Sequence, residues 1–434
     1  MLRRILQDKK ILIAGYGREG KSSHALLQKL FPGKPFDIAQ NNEEIHSLLA
    51  QNSYDLILKS PGIPTFVFEG HCDLDIISSQ TDLFLQAYGN QTIGISGTKG
   101  KSTTTSLIYH SLQWAVNTGK EVRISPKAPV CKKVILAGNI GIPLFDILDQ
   151  INDSSIIVAE FSCHQLENIH RGPHIGILLN LFQEHLDHYH DYMGYKMAKM
   201  QMALRQIPGD HFFYSTDNVE LADLVSQQRI CSQLHPYALK DAEEVASLQS
   251  TLQGDHNRSN ILVVWRALQL MQMDKNTFAN ALAAFSGLPH RLERVGEFAG
   301  ITFYNDSIST IPAACEAAVK ALGNVDTLIL GGFDRGIDYA PLAAFLDATA
   351  IRNLVFVGKA GSRIHALLQH PEKYNILLED NYEKIVPWCF EHTAKGSICL
   401  LSPAAASYDA FKNFEHRGET FKRLVVGSNV DLLN

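Results

Sequence analysis

Short apolar runs punctuate the chain, and most lie between turn residues and amphipathic stretches. Ile11-Leu12-Ile13-Ala14 reads as a buried strand that Gly15 stops. A helical stretch over 21–30 follows, then a short strand ending at Asp37 and another over 56–58. A second series opens near residue 90 with a strand over 92–96. It continues with strands over 155–160 and 175–180 and helical patterns over 192–206 and 257–271. Gly287-Leu288-Pro289-His290-Arg291 interrupts the pattern and reads as a linker. Beyond it, strands over 302–305, 327–330, 353–357 and 397–401 alternate with helical segments. Strands alternating with helices throughout predict an α/β fold of parallel sheets between helical layers. A length of 434 residues suits two to four such domains. The spacing predicts three: 1–88, 89–287 and 288–434.

Three glycine-bearing loops carry candidate chemistry. Gly15-Tyr16-Gly17-Arg18-Glu19-Gly20 is a GxGxxG between strand and helix, where glycines let the backbone approach a phosphate at a helix N-terminus. It fits a nucleotide or nucleotide-sugar site, and it also fits a βα turn with no ligand. Asp37 lies where a ribose or base contact is expected, and Ser60-Pro61-Gly62 suits a rigid loop presenting N–H groups. The strongest local signal is Gly97-Thr98-Lys99-Gly100-Lys101-Ser102-Thr103, after one strand and before a helix. There Lys101 can neutralise phosphate charge and Ser102 or Thr103 can reach Mg²⁺. Ile95 stands where the general phosphate-loop pattern has its first glycine.

Glu160 ends an apolar strand, where a buried carboxylate needs a cation or hydrogen bonds. Glu184-His185-Leu186-Asp187-His188 follows the next strand and supplies further metal candidates. Mg²⁺ is expected there, although it prefers oxygen to the His185 imidazole. Zinc would call for a cysteine pair or an HExxH beside His185, His188 and His190, and neither occurs.

Composition narrows the class. Lys and Arg number 39 against 45 Asp and Glu, a net charge of −6, which disfavours a general nucleic-acid binder. Hydrophobic residues at 45% and charged residues at 19% suit a globular chain, not a disordered one. Seven scattered cysteines without a CxxC read as free thiols of a reducing compartment. No apolar run reaches membrane-helix length, and the stretch 11–14 is too short for a signal-peptide core. A cytoplasmic protein with no membrane partner is expected.

The chain resembles the Mur ligases, the ATP-dependent amide-forming enzymes of peptidoglycan synthesis, and within them the glutamate-adding members. The resemblance runs in order through Ser60-Pro-Gly-Ile-Pro64, the phosphate loop, Gly138-Asn-Ile-Gly141, Glu160-Phe-Ser-Cys-His-Gln-Leu-Glu167, Glu184-His-Leu-Asp187 and Lys199. It continues through His256-Asn257 with Asn260, Gly287-Leu-Pro-His-Arg291, Asn305-Asp-Ser307, Leu401-Ser-Pro-Ala-Ala-Ala-Ser407 and Phe411-Lys-Asn-Phe-Glu-His-Arg-Gly418.

It implies a UDP-substrate domain, a central ATP-binding domain and an amino-acid-binding domain. Gly15, Gly17, Asp37, Ser60, Pro61, Gly62 and Asn139 would hold UDP-N-acetylmuramoyl-L-alanine. Gly97, Thr98, Lys99, Gly100, Lys101, Ser102, Thr103, Asn257, Asn260, Arg291 and Asp306 would hold ATP. Ser102, Glu160, His185 and Lys199 would serve two Mg²⁺ ions, with Lys199 carbamylated and Lys101, His185 and Lys199 catalytic. Thr310, Arg335, Ser407 and Phe414 would bind D-glutamate. The enzyme is expected to work as a monomer through an acyl phosphate.

Two departures bear on the amino acid. The family's glutamate ligases usually carry Asp-Ser-Lys, and here Ile308 follows Ser307. They usually carry a lysine after the next Gly-Gly, and here Arg335 takes that place. L-glutamate followed by epimerisation is therefore an alternative substrate, and a folylpolyglutamate synthase-like ligase an alternative activity. A non-catalytic nucleotide binder would have no use for Lys101, Glu160, His185 and Lys199 together.

Overall fold

A computed structural model describes residues 1–140, 142–184, 188–252 and 254–431. Sixteen strands are found among them, in three sheets. The first sheet holds β1 (Ile11–Ala14), β2 (Asp37–Ala39), β3 (Leu56–Lys59) and β4 (Ile77–Ser78), in the order β2-β1-β3-β4 and all parallel. The second holds β5 (Thr92–Ser96), β6 (Lys133–Gly138), β7 (Ser155–Glu160), β8 (Ile175–Leu178), β9 (His211–Ser215) and β10 (Gln233–Tyr237). Its order is β10-β9-β8-β5-β7-β6, again all parallel. β5, β7 and β8 are buried at every position, as strands covered by helices on both faces must be.

These two sheets form one compact unit, 1–250 with 255–285. A single apolar cluster joins them, running from Ile11 and Leu58 to Phe145, Leu166 and Leu178. Polar ties reinforce it. The Lys59 ammonium meets Glu167 at 3.0 Å, Ser22 donates to Asp146 at 2.5 Å, Thr65 to Asn168 at 3.1 Å, and the His170 amide to Asp82 at 2.7 Å.

The other unit comprises 251–254 and 286–434, so the chain crosses over beside the expected 287–291 break. Its sheet holds β11 (Glu293–Phe298), β12 (Ile301–Asn305), β13 (Val325–Gly331), β14 (Asn353–Val357), β15 (Asn375–Leu378) and β16 (Ile398–Leu401), in the order β11-β12-β16-β13-β14-β15.

This sheet corrects the expectation of purely parallel strands, because β11 pairs antiparallel with β12. The turn is Ala299-Gly300, both at positive φ (52° and 80°), as a two-residue hairpin turn requires. Ala-Gly is not the Asn-Gly or Asp-Gly that usually marks such a turn, and Glu-Arg-Val-Gly-Glu-Phe buries no residue fully. Asp37 is a second correction, since it opens its strand and does not end it. The apolar pair that enters the sheet, Ile38 and Ala39, lies after it, while Asp37 accepts a bond from the Tyr54 hydroxyl at 2.8 Å. No helix among the described residues is long and apolar enough to cross a membrane.

Candidate active site

Two neighbouring sites form at the strand ends of the first unit. One is a cavity of about 410 Å³ lined by Gly15 to Glu19, Ser60 to Ile63 and Asn139, among others. Six of the seven residues expected to hold the nucleotide substrate therefore converge: Gly15, Gly17, Ser60, Pro61, Gly62 and Asn139. Asp37 is not among the lining residues, and Gln40 at the other end of that strand is.

The glycine spacing has a steric reason. Gly15 sits at φ 90°, and a side chain there would press on Ser60, whose hydroxyl donates to the Gly15 carbonyl at 2.7 Å. A Cβ on Gly20 would fall 2.0 Å from that same carbonyl, so only glycine lets the helix Arg18–Leu30 start against β1.

The second site is the phosphate loop between β5 and the helix Lys101–Asn117. Gly100 caps that helix at φ 84°, and Asn260 from the helix Asp255–Leu270 lies 3.0 Å from where its Cβ would be. Asn257 approaches Asn260 at 3.4 Å on the same helix. The loop is held from behind. The Asn180 side chain, just past β8, accepts from the amides of Thr98 and Lys99 at 3.0 and 2.8 Å. The Thr98 hydroxyl pairs with the Tyr195 hydroxyl at 2.7 Å, so Thr98 braces the loop. Lys99 reaches Glu184 at 2.8 Å. The N-terminus of the 17-residue helix Lys101–Asn117 opens at the end of this braced loop, a favourable place for anionic phosphate.

Lys101, Glu160 and Lys199 gather at this loop. Lys101 donates to the Thr98 carbonyl at 3.0 Å, and Lys199, which is buried, donates to the Gly97 carbonyl at 3.0 Å. Burial lowers the pKa of Lys101 against the pull of Glu160. Burial pushes Lys199 further, down to about 8, with the Lys101 charge adding to the effect.

Glu160 is 2% exposed. Its Oε1 accepts from the Asn139 amide at 2.6 Å, and its Oε2 is buried without a hydrogen-bond partner among the described residues. An orphaned carboxylate oxygen beside a phosphate loop suits Mg²⁺, which takes one or two carboxylates plus phosphate oxygens. Ser102, in the first turn of the helix, would supply the hydroxyl ligand. Among the described residues no three His, Cys, Asp or Glu side chains cluster for a metal. His185, the other expected metal residue, lies outside the described residues.

The second unit collects the remaining candidates. Arg335 is exposed and donates to the Thr310 carbonyl at 3.1 Å. Ser407 is buried, and the Phe414 carbonyl accepts from the Ser307 hydroxyl at 2.8 Å. Arg291 is exposed. Asp306 is buried, and its carboxylate accepts from Ser309 (2.5 Å), Ser402 (2.8 Å) and the Leu292 amide (3.1 Å), an arrangement that anchors its own loop. Burial raises its pKa to about 6 despite those bonds.

The sequence patterns passed over several contributors. Asn180 lies two residues past the end of β8, and its role appears only once the phosphate loop is beside it. Gln165 links Ser162 to Glu19 in the cavity wall, donating to the Glu19 carboxylate at 2.6 Å and accepting from the Ser162 amide at 3.0 Å. The Glu160-to-Glu167 segment carried that signal, since Gln165 is the third residue of the short helix Cys163–Leu166 capped by Ser162.

Comparison with known proteins is decisive at this point. The middle-domain model of the Mur ligases matches residues 95–286. A UDP-N-acetylmuramoylalanine–D-glutamate ligase of Listeria monocytogenes is 30% identical over 455 residues, 95% of each chain. The chain belongs to the Mur ligase family. A relative of the same name in Thermoanaerobacter pseudethanolicus is 29% identical over 97% of this chain and 98% of its own. Among solved structures, the UDP-N-acetylmuramate–alanine ligase of Thermotoga maritima shares the fold at a TM-score of 0.58 and 15% identity, over 97% of this chain and 100% of that one. A Thermotoga maritima MurF ligase solved with ADP does so at 0.56 and 14%, over 98% and 97%. In this Mur ligase Asn139 both lines the cavity and bonds Glu160 beside the phosphate loop.

Proposed function

We propose that this Mur ligase joins D-glutamate to UDP-N-acetylmuramoyl-L-alanine at the expense of ATP. The observation that carries the reading is near-full-length similarity to ligases of that name in a chain that brings Lys101, Glu160 and Lys199 to one phosphate loop. The fold alone does not choose the substrate. A folylpolyglutamate synthase from Yersinia pestis shares it at a TM-score of 0.53 and 13% identity, whereas the relatives at 29–30% carry the D-glutamate name.

A carboxylate is a poor acyl donor. An oxygen of the L-alanyl carboxylate attacks the γ-phosphorus, ADP leaves, and an acyl phosphate remains. The glutamate amine then attacks the acyl carbon, loses a proton, and the P–O-bearing group departs as inorganic phosphate. Lys101 and the loop amides offset the repulsion between carboxylate and phosphate as they approach. Bound Mg²⁺ would draw charge from the phosphate oxygens, held by Glu160 and Ser102 in one site and by His185 and Lys199 in a second. The resemblance assigns Asn257, Asn260, Arg291 and Asp306 to the adenine nucleotide, and it assigns Asp37 to the UDP end although Asp37 is not among the cavity's lining residues.

Lys199 is proposed to be carbamylated. Its neutral amine adds CO₂ and releases a proton, which gives an anion suited to Mg²⁺. A pKa near 8 supports this, because an appreciable fraction is neutral at physiological pH. The reading takes 1–88, 89–287 and 288–434 as the substrate, ATP and amino-acid regions of a cytoplasmic monomer. Phosphate release that requires the UDP substrate and glutamate together tests it. Release that ignores either one contradicts it.

L-glutamate is the second reading, favoured by Ile308 and Arg335. An exposed Arg335 tied to the Thr310 carbonyl presents a planar fork where the related ligases usually have an ammonium.

A further inference from the structure

Arg417, within the 411–418 motif but given no role above, is 1% exposed and among the largest fully buried side chains. Four of its five N–H groups donate to neutral acceptors. Nε donates to the Ser307 hydroxyl at 2.9 Å, Nη2 to the carbonyls of Ser307 (2.9 Å) and Ala405 (3.1 Å), and Nη1 to the Ala406 carbonyl at 3.2 Å. None of the four acceptors is charged. A buried cation is normally paired, so this one is held at a cost that lowers its pKa. The exposed Asp409 and the buried Tyr382 are the groups that pull the other way.

What it touches is informative. Ser307 opens the segment that runs to Thr310, and its hydroxyl also donates to the Phe414 carbonyl. The Ala406 carbonyl also accepts the Phe333 amide at 2.9 Å, and the segment continues to Arg335. A Cβ on Gly332 would lie 3.1 Å from Nη1, so that turn packs directly on the fork. Ala405 and Ala406 lead to Ser407. All four residues assigned to the amino acid, Thr310, Arg335, Ser407 and Phe414, thus lie on segments that meet at one guanidinium.

We infer that Arg417 is the positioning residue of the amino-acid site: it sets the three segments in register and supplies the buried positive charge that favours a dicarboxylic amino acid there. This rests on the functional reading above. A planar fork with five donors can bridge three segments at once, and a lysine ammonium cannot reproduce that geometry.

The test is steady-state kinetics of Arg417→Lys with each substrate varied in turn. The expected result is a glutamate KM raised at least tenfold, KM for ATP and for the UDP substrate within twofold of wild type, and kcat at saturating glutamate within about threefold. Equal rises in all three KM values, or an unchanged glutamate KM, overturn the inference. Ser307→Ala keeps the guanidinium but removes the bonds to Arg417 Nε and to the Phe414 carbonyl, and should raise the glutamate KM alone by at least threefold; no change there also overturns it. Amide hydrogen exchange reads the positioning without turnover. Arg417→Lys should speed exchange in 306–310, 331–335 and 403–414 while the strands of the third sheet keep their protection, and uniform loosening of the sheet counts against the inference. A wild-type enzyme that turns over without regard to glutamate would sink the functional reading, while the exchange pattern would still judge Arg417.

Discussion

At the scale of single residues, the account stands on a few buried charges. Lys101 is half-buried, and burial already lowers its pKa, so its electrostatic contacts are worth more than in water. Lys101→Ala should lower kcat by about 100-fold or more, since removing one such contact costs roughly 3 kcal/mol and 1.4 kcal/mol is tenfold. A variant within threefold of wild type contradicts its role. Lys199→Ala should be nearly inactive and partly restored by small carboxylic acids, which replace the carbamate. Full activity without them removes Lys199 from the mechanism. Ser407→Ala should raise the glutamate KM by about tenfold or more, because a hydrogen bond to a charged group contributes about 1.5–3 kcal/mol, and should leave ATP affinity unchanged. The phosphate loop 97–103 was legible because glycine, lysine and serine occur there at the spacing that phosphate chemistry demands, whereas Lys199 and Ser407 were singled out only by the family resemblance. The partners were not readable. Asn180, Gln165 and Arg417 act across separations of 81, 146 and 110 residues, which no local pattern encodes.

At the scale of elements, the buried parallel strands were legible because they are apolar at nearly every position and end in turn residues. β11 was not, because its residues are only half-buried or exposed, and its turn uses an alanine at positive φ. The junction of the first two sheets was also hidden. Lys59 ends β3 and looks like a solvent-facing charge, yet it is 2% exposed against Glu167. Burial raises the Glu167 pKa, but the His188 ring and the Lys59 charge outweigh this and bring it to about 2. A carboxyl held below its ordinary 4.5 stabilises the fold fully above that value. The contribution is lost as pH falls from about 4.5 towards 2. Lys59→Met should cost about 1–3 kcal/mol at neutral pH, because it leaves the largely buried Glu167 carboxylate without its cation. The penalty should shrink as pH drops through that window. Urea midpoints of both proteins at pH 7 and pH 3 measure this, and a penalty independent of pH contradicts the pairing.

At the scale of the whole molecule, labour is divided by unit. The first holds the phosphate loop and the cavity assigned to the nucleotide substrate around one apolar core, joined through Asn139 and Glu160. The second holds the residues assigned to the amino acid, gathered on Arg417. The class of reaction follows from the first unit and the family. The handedness of the amino acid depends on the second, where Ile308 and Arg335 replace the expected lysines. Enantiomers that share amine and γ-carboxylate positions send the α-carboxylate in different directions, so the cation that receives it decides. Arg335 can receive it with two parallel bonds. The central claim is tested most directly by offering D- and L-glutamate at equal concentration with UDP-N-acetylmuramoyl-L-alanine and ATP, then determining the mass and the glutamate configuration of the product. The account predicts a single added glutamyl residue of D configuration, with ADP formed one for one; preferential incorporation of L-glutamate, or no product, would contradict it.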